Sequence, residues 1–264
     1  MPVVSPIMTM MQRAAEKAAR SLLRDFNEVE KLQVSKKGPG DFVTAADKRS
    51  EEIIFEELKK AKPDYSFMME ESGQVKGNDP DYVWIIDPLD GTHNFMHGVP
   101  HWSISIALEQ RGTVVAGLVY DCAKNEMFTA EKGGGAFIHG NRRLRVSGRN
   151  VMEQCMIATG LPRPNKEQRQ LFWKEMEAVA SISPMVRRMA SAALDLSYVA
   201  AGRMDGYWER GCKPWDVAAG WLIVKEAGGI VTSIENDENP VYSGSLIAAN
   251  QQIHADLRKI LSNV

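Results

Sequence analysis

Tyr82-Val83-Trp84-Ile85-Ile86-Asp87-Pro88-Leu89-Asp90-Gly91-Thr92 is the segment that decides how this chain folds. From Tyr82 to Asp87 it is a short apolar run rich in β-branched and aromatic residues, the composition of a buried strand. Such a strand ordinarily ends in a neutral turn. This one ends in two carboxylates three residues apart, with Pro88 restricting the backbone and fixing a turn between them. The carboxyl end of a strand is where open α/β sheets hold ligands. Two carboxylates this close repel unless a cation separates them, and hard oxygen ligands select magnesium, manganese or calcium. Asp90-Gly91 is equally the composition of an Asx-type turn, so the segment alone leaves a turn and a metal site both open.

Upstream, Met11, Ala15, Ala18, Leu22 and Phe26 recur at helical spacing among charged residues and predict an amphipathic first helix. Thr44-Ala45-Ala46-Asp47, followed by Ile53, Ile54 and Leu58, predicts a second helix that opens in a capping box near Thr44 and ends before Pro63. Tyr65 to Met69 is a further short apolar run. Downstream, Ser103 to Leu108, Val114 to Tyr120 and Glu126 to Ala130 read as strands, with turns at Gly112 and Asn125. After Gly133-Gly134-Gly135 and Gly140-Asn141, a basic strand from Leu144 to Ser147 leads into the second half. There Cys155 to Thr159 and Asp205 to Glu209 read as strands, and Lys166 to Ala180 and Met189 to Ala201 as helices. A strongly apolar helix from Asp216 to Ala227 stops at Gly228-Gly229; strands at Ile230 to Ile234 and Leu246 to Ala249 precede a last helix from Ile253. No repeat, low-complexity segment or linker divides the chain, so one domain over 1–264 is expected, with halves of about 1–145 and 146–264. Helices alternating with groups of consecutive strands predict an α/β fold of the α+β type, in stacked layers with mixed sheets.

Composition narrows the function classes. The 264 residues are 44% hydrophobic and 25% charged, ordinary for a globular chain, and the formal charge of -2 argues against a dedicated nucleic-acid binder. Cys122, Cys155 and Cys212 form no Cys-x-x-Cys pair, so neither a disulfide framework nor a zinc knuckle is expected and a reducing compartment fits best. No signal-like apolar stretch opens the sequence and no run of about 18 apolar residues occurs, so a cytoplasmic protein without a membrane partner is expected.

Two further acidic groups bear on Asp87 and Asp90. Glu70 and Glu71 follow the run ending at Met69, either as an exposed acidic loop or with at least one glutamate at a strand end beside the first pair. Asp216 opens a helix as an N-cap, a position from which a carboxylate can cap and ligate at once. Together, Asp87-Pro88-Leu89-Asp90-Gly91-Thr92 and Trp215-Asp216-Val217-Ala218-Ala219 resemble the two signature motifs of the inositol monophosphatase family, within the lithium-sensitive sugar-phosphatase superfamily. Glu70-Glu71-Ser72, Asp41 to Asp47, Asn94 to Gly98, Gly133 to Phe137 and Glu226 to Gly229 follow the family's order and spacing, so the resemblance spans nearly the whole chain.

The resemblance implies a layered αβαβα sandwich of the inositol monophosphatase and fructose bisphosphatase type, a homodimer, and two to three Mg2+ ions, with Mn2+ a possible substitute. Glu70, Asp87 and the Leu89 carbonyl would hold one ion, and Asp87, Asp90 and Asp216 a second; a third would lean on Glu70 and water. Thr92, linked to Asp47, resembles the pair that with Glu70 orients an attacking water. The Gly91 and Thr92 amides, at a helix start, would grip phosphate. Ala192 and Glu209 match positions that contact a sugar or polyol ring, Glu209 as the hydroxyl acceptor. Asp90 and Asp216 would also border the substrate. The chemistry is consistent: a phosphate monoester is an anion, and a site of four carboxylates attracts it only when metal reverses the local charge. A protein nucleophile lacks support, because no neighbouring histidine serves Cys212 or Ser191 as a base.

The implied activity is hydrolysis of a small phosphorylated polyol, myo-inositol monophosphate first. Histidinol phosphate, fructose 1,6-bisphosphate and nucleotide 3′-phosphates are the alternatives, since relatives sharing the metal motifs act on them. Thr159 to Arg163 departs from the animal members, which bears on ring contacts there. His93, His97 and His101 recur every fourth residue, but Gly98 and Pro100 break the helix that a zinc site would need. The Gly133 to Gly135 run lacks dinucleotide-fingerprint spacing and reads as a tight turn. Arg142, Arg143, Arg145 and Arg149 read as a solvated hairpin rim, with RNA or transcription machinery as the alternative partner.

Overall fold

The computed structural model describes residues 4–28, 34–38, 41–162, 166–235 and 239–264. Helix α1 (Pro6–Phe26) is N-capped by Ser5, whose hydroxyl accepts from the Met8 amide, and it buries the predicted stripe of Met11, Ala15, Ala18 and Leu22. A hairpin of β1 (Val34–Gly38) and β2 (Asp41–Thr44) leads into α2 (Ala45–Ala61). That helix opens in the expected capping box: the Thr44 hydroxyl accepts from the Ala46 and Asp47 amides, and the Asp47 carboxylate accepts from the Thr44 amide.

The larger sheet is built from β3 (Tyr65–Met69), β4 (Gly73–Val75), β5 (Asp79–Asp90), β6 (Ser103–Gln110), β7 (Thr113–Asp121), β8 (Glu126–Glu131), β9 (Gly135–Ile138) and β10 (Arg142–Arg143). Its spatial order is β10-β9-β8-β7-β6-β5-β3-β4, antiparallel throughout except where β3 and β5 run parallel. Helix α3 (Thr92–Met96) follows β5 directly. The smaller sheet comes from β11 (Met156–Thr159), β12 (Met185–Arg187), β13 (Gly206–Arg210), β14 (Ile230–Thr232) and β15 (Ser245–Ala249), in the order β12-β11-β13-β15-β14. Its β12-β11-β13 part is parallel and the rest antiparallel, so both large sheets are mixed. The remaining helices are α4 (Lys166–Ala180), α5 (Ala192–Ala200), α6 (Pro214–Glu226) and α7 (Gln251–Leu261).

Residue character assigns each helix to its layer. Helix α6 buries Val217, Ala218, Ala219, Leu222, Ile223 and Val224, and a helix that is apolar on nearly all sides must be covered on both. With α5 it lies between the two sheets. The amphipathic α1 packs with α2 on the outer face of the larger sheet, while α4 and α7 cover the outer face of the smaller one. The order is therefore α-β-α-β-α. Strand β6 is buried along almost its whole length, Ser103 and Ser105 included, as a strand covered on both faces must be. Among the described residues no helix is long and apolar enough to cross a membrane.

Several predicted elements differ, among them α6, which starts at Pro214, and β14, which ends at Thr232. Pro88 does not end its strand: β5 continues to Asp90, and between the Asp87–Ser105 and Asp90–Ser103 pairs it carries one residue more than β6. Such a bulge tolerates a residue without an N–H. The basic strand at Leu144–Ser147 is absent. Only Arg142 and Arg143 pair with β9, after which the Leu144 amide donates to Ala136 and the Val146 amide to Ala227, two partners on different elements. The helix expected from Met189 starts at Ala192, because Ala190 sits at φ 62 and the Met189 carbonyl is taken by the Asn94 amide group.

Candidate active site

The parallel pairing of β3 with β5 brings two strand ends together. Met69 is in register with Ile86, so Glu70, just past the end of β3, lies beside Asp87 of β5, and the Glu70 amide donates to the Ile86 carbonyl at 3.2 Å. Of the two arrangements open for Glu70, the strand-end position is the one formed. Asp87 is buried; its Oδ1 accepts from the Leu89 amide at 2.9 Å, and its side chain is hydrogen-bonded to Glu70. Across the bulge, Asp90 reaches the interlayer helix α5. Its Oδ2 accepts from the Ser191 hydroxyl at 2.5 Å and the Ala193 amide at 2.9 Å, so the carboxylate is seated at a helix N-terminus.

Asp216 comes from the other interlayer helix. It is the third residue of α6 rather than the predicted N-cap: Lys213 is the cap, Pro214 takes the first helical position, and the Asp216 carboxylate accepts from the Lys213 amide at 2.7 Å. The Ser105 hydroxyl of β6 donates to the neighbouring Trp215 carbonyl at 3.2 Å, fixing this helix start against the larger sheet. Asp47 supports the opposite wall. Its Oδ2 is held by the Thr44 amide and hydroxyl, and its Oδ1 accepts from the Thr92 hydroxyl at 3.0 Å; that hydroxyl also lies 3.1 Å from the Leu89 carbonyl. The Ser50 hydroxyl donates to the Pro88 carbonyl at 2.8 Å, anchoring the bulge to α2. Gly91, the N-cap of α3, lies at φ 92, a conformation that a side chain would strain, and a Cβ there would also meet the His101 carbonyl at 3.1 Å.

These groups border one cleft of about 340 Å³. Glu70, Asp87, Leu89, Asp90, Gly91, Thr92, Ala192, Glu209 and Asp216 all line it, with Asp47 behind Thr92. The carboxylates, amides and ring-contact residues that the family resemblance implies are thus at the cleft or touching it. Arg188 and Arg169 also line it, and Ser191 holds Asp90; these were not singled out as site residues. Ser191 carries a weak signal as a small hydroxyl residue before a helix, but its partner lies 101 positions away in the sequence. Arg163 falls outside the described residues. Of the histidines, His93 borders the cleft, the His97 ring contacts the His93 carbonyl, and His101 is buried against Tyr198, so the three form no joint metal site.

Burial dominates the electrostatics. It pushes Asp87 well above the ordinary carboxylate range, with Glu70, Asp90 and Asp216 adding repulsion. It raises Asp90 to about 7 against the lowering effect of Ser191 and Ala193. Asp47 and Glu209 are also raised by burial. The charges that act most strongly on Asp87 are all negative, those of Glu70, Asp90 and Asp216. Oxygen-only donors with this deficit of positive charge fit a hard divalent cation. Among the described residues no three His, Cys, Asp or Glu side chains are already drawn to ligating distance, so closing on an ion requires side-chain rotation against the repulsion it would relieve.

Two other motifs have structural explanations. The Gly133 and Gly135 amides each donate at 2.8 Å to the Glu226 carboxylate, joining the glycine turn to the end of α6. Arg142, Arg143, Arg145 and Arg149 are exposed at the end of the larger sheet, with Arg149 paired to Asp205 at 3.1 Å. The three cysteines are free and buried.

Residues 3–264 match the model of the inositol monophosphatase family. The chain is 50% identical over 255 residues to a protein of Mesorhizobium japonicum called inositol-1-monophosphatase, covering 97% of this chain and 96% of that one. It is 42% identical over 261 residues to a Pasteurella multocida protein called Nus factor SuhB, covering 99% and 96%. The crystal structure of the extragenic suppressor protein suhB from Bartonella henselae superposes with a TM-score of 0.94 at 48% identity, covering 97% of this chain and 98% of that one. Motif order, layer order and near-complete similarity therefore agree that the chain belongs to the inositol monophosphatase family, a family of metal-dependent phosphatases.

Proposed function

We propose that this chain is a magnesium-dependent phosphatase of small phosphorylated polyols, with myo-inositol monophosphate as substrate. The observation that carries the reading is the convergence of Glu70, Asp87, Asp90 and Asp216 on one cleft, beside a Thr92 hydroxyl directed to Asp47. Glu70, Asp87 and the Leu89 carbonyl would hold one magnesium, Asp87, Asp90 and Asp216 another, and Glu70 with water a weaker third. These residues would hold magnesium, which would supply charge neutralisation of the carboxylates, a more acidic water and stabilisation of the leaving oxygen. Asp47 engages the Thr92 proton, which leaves the Thr92 lone pairs to accept from the attacking water and orient it. Glu70, next to Asp87, would help to orient that water. The Gly91 and Thr92 amides at the start of α3 bind phosphate oxygens, and Ala192 and Glu209 bound the polyol, with Glu209 accepting from a hydroxyl.

The names of the Mesorhizobium and Rhizobium meliloti relatives, both inositol-1-monophosphatase, favour inositol phosphate among the alternative substrates. Family membership also supports a homodimer, inhibition by lithium, Mn2+ as a substitute and a cytoplasmic setting. Phosphate release should be measured on inositol phosphates, histidinol phosphate, fructose 1,6-bisphosphate and adenosine 3′,5′-bisphosphate, with and without chelator and lithium. Preference for inositol monophosphate, abolished by chelation and depressed by millimolar lithium, is the expected result. Undiminished turnover after exhaustive chelation refutes the metal mechanism; preference for another phosphate replaces the substrate. The exposed Arg142, Arg143 and Arg145, together with relatives named Nus factor, support a second reading as an RNA or transcription-machinery contact. Salt-dependent RNA binding lost on neutralising these arginines tests it.

A further inference from the structure

We propose that Tyr207 and Gly160 determine selectivity for leaving groups that carry a hydroxyl, by holding the Glu209 carboxylate in a single orientation. The inference rests on Glu209 being the hydroxyl acceptor of the proposed function.

Tyr207 and Glu209 are two residues apart on β13 and so project from the same face of the smaller sheet. Tyr207 is fully buried and cannot touch a substrate. Its phenolic O–H donates to Oε2 of Glu209, and the Cys212 thiol lies against the same hydroxyl. Among the described residues Oε1 of Glu209 accepts no hydrogen bond, which leaves that oxygen for a substrate hydroxyl in the cleft that Glu209 lines. The two carboxylate oxygens are thus distinguished by the buried phenol.

Gly160 supplies the second constraint. Strands β11 and β13 are parallel, with Thr159 paired to Trp208, and the Thr159 hydroxyl donates to the Trp208 carbonyl at 2.8 Å. The chain leaving β11 therefore passes directly over Glu209. A Cβ on Gly160 would overlap the carboxyl carbon and both oxygens of Glu209, so the carboxylate lies against bare backbone. Rotating it away from Tyr207 would leave a buried phenol without its acceptor. Arg188, lining the same cleft, favours the charged form of Glu209. An acceptor held in this way rewards a leaving group with a correctly placed O–H and leaves the phosphorus chemistry to the opposite wall. Tyr207 is a positioning residue and Gly160 a residue of close approach.

The test compares wild type, Tyr207→Phe, Gly160→Ala, Glu209→Gln and the Tyr207→Phe/Glu209→Gln double variant. Each is assayed at saturating magnesium on myo-inositol 1-phosphate and on phenyl phosphate, whose leaving group has no neighbouring hydroxyl, alongside thermal melts. A lost hydrogen bond to a charged acceptor predicts about a tenfold fall in kcat/KM on inositol phosphate for Tyr207→Phe, mostly through KM, and a much smaller fall on phenyl phosphate. Gly160→Ala should act in the same direction, and it decides alone if Tyr207→Phe melts below the assay temperature. Because Tyr207 acts only through Glu209, the double variant should be no worse than Glu209→Gln. Equal losses on both substrates, or full additivity in the double variant, overturn the inference and leave the proposed activity standing. Selectivity between the two substrates left unchanged by Glu209→Gln overturns the hydroxyl-acceptor role of Glu209 as well.

Discussion

Asp90→Asn separates the stability of this fold from its function. Burial raises Asp90 from the ordinary carboxylate value of 3.8 to about 7. At about 1.4 kcal/mol per tenfold change in acidity, that rise means that the ionised side chain disfavours the metal-free fold by at most about 4 kcal/mol. The sign follows from an acid whose folded pKa lies above its unfolded one. The penalty is absent below the unfolded value, grows as pH rises between the two, and is complete above about 7. Asparagine keeps an oxygen for the Ser191 hydroxyl and Ala193 amide but carries no charge. In chelator at about pH 8 the variant should therefore melt above wild type, by up to roughly 10 °C for a chain of this size. Saturating magnesium should raise the wild-type melt more than the variant's, narrowing or reversing the gap, because the ion binds a ligand that the variant lacks. The kcat should fall by about a hundredfold or more, the scale of losing one electrostatic contact to the transition state. Calorimetry in chelator and in magnesium, with steady-state kinetics on the same preparations, measures all three. A variant that melts below wild type in chelator, or gains as much from magnesium, refutes the reasoning.

Two further perturbations address the frame around the site. Burial, helped by Lys124, lowers His101 from 6.5 to about 4, so the unfolded chain binds a proton that the fold does not between those values. The fold should lose up to about 3 kcal/mol as pH falls through that window. His101→Phe, whose ring can retain the edge contact with Tyr198, should flatten this part of the melt-versus-pH curve; an unchanged curve rejects the assignment. Ala190 stands at φ 62 on the cleft wall, a conformation costing a residue with a Cβ about 1–2 kcal/mol. After the greater unfolded-state entropy of glycine is subtracted, Ala190→Gly should stabilise the protein by up to about 1 kcal/mol in denaturant melts. Destabilisation would show that the methyl group contributes packing outweighing the strain.

Much of this molecule was legible in one dimension because its signals are local. The stripe of α1, the Thr44–Asp47 capping box and the all-round apolarity of α6 depend on residues within a few turns of one another, and each element formed, α6 with an earlier start than expected. The acidic residues at Glu70, Asp87, Asp90 and Asp216 were equally visible, since carboxylates next to apolar runs are anomalous wherever the chain takes them. What remained ambiguous locally was whether Asp90 made a turn or a site, and whether Glu70 was exposed or at a strand end.

Tertiary structure decided those alternatives. The parallel register of β3 with β5 sets Glu70 beside Asp87, and the bulge extends β5 through Pro88, which local propensity read as a stop. The start of α5 moved to Ala192, where Asn94 and Asp90, from another layer, engage the chain around it. Asp216 became the third residue of its helix because Pro214 can occupy the first position, a competition that the N-cap preference of aspartate did not reveal. Tyr207 and Gly160 read as ordinary strand and loop residues until β11 and β13 lie parallel. Helix and turn propensities act over a few residues, whereas sheet register, burial and the approach of one layer to another come from contacts across the whole chain. Local chemistry therefore named the acidic residues, and long-range packing determined which oxygens they present and what holds them.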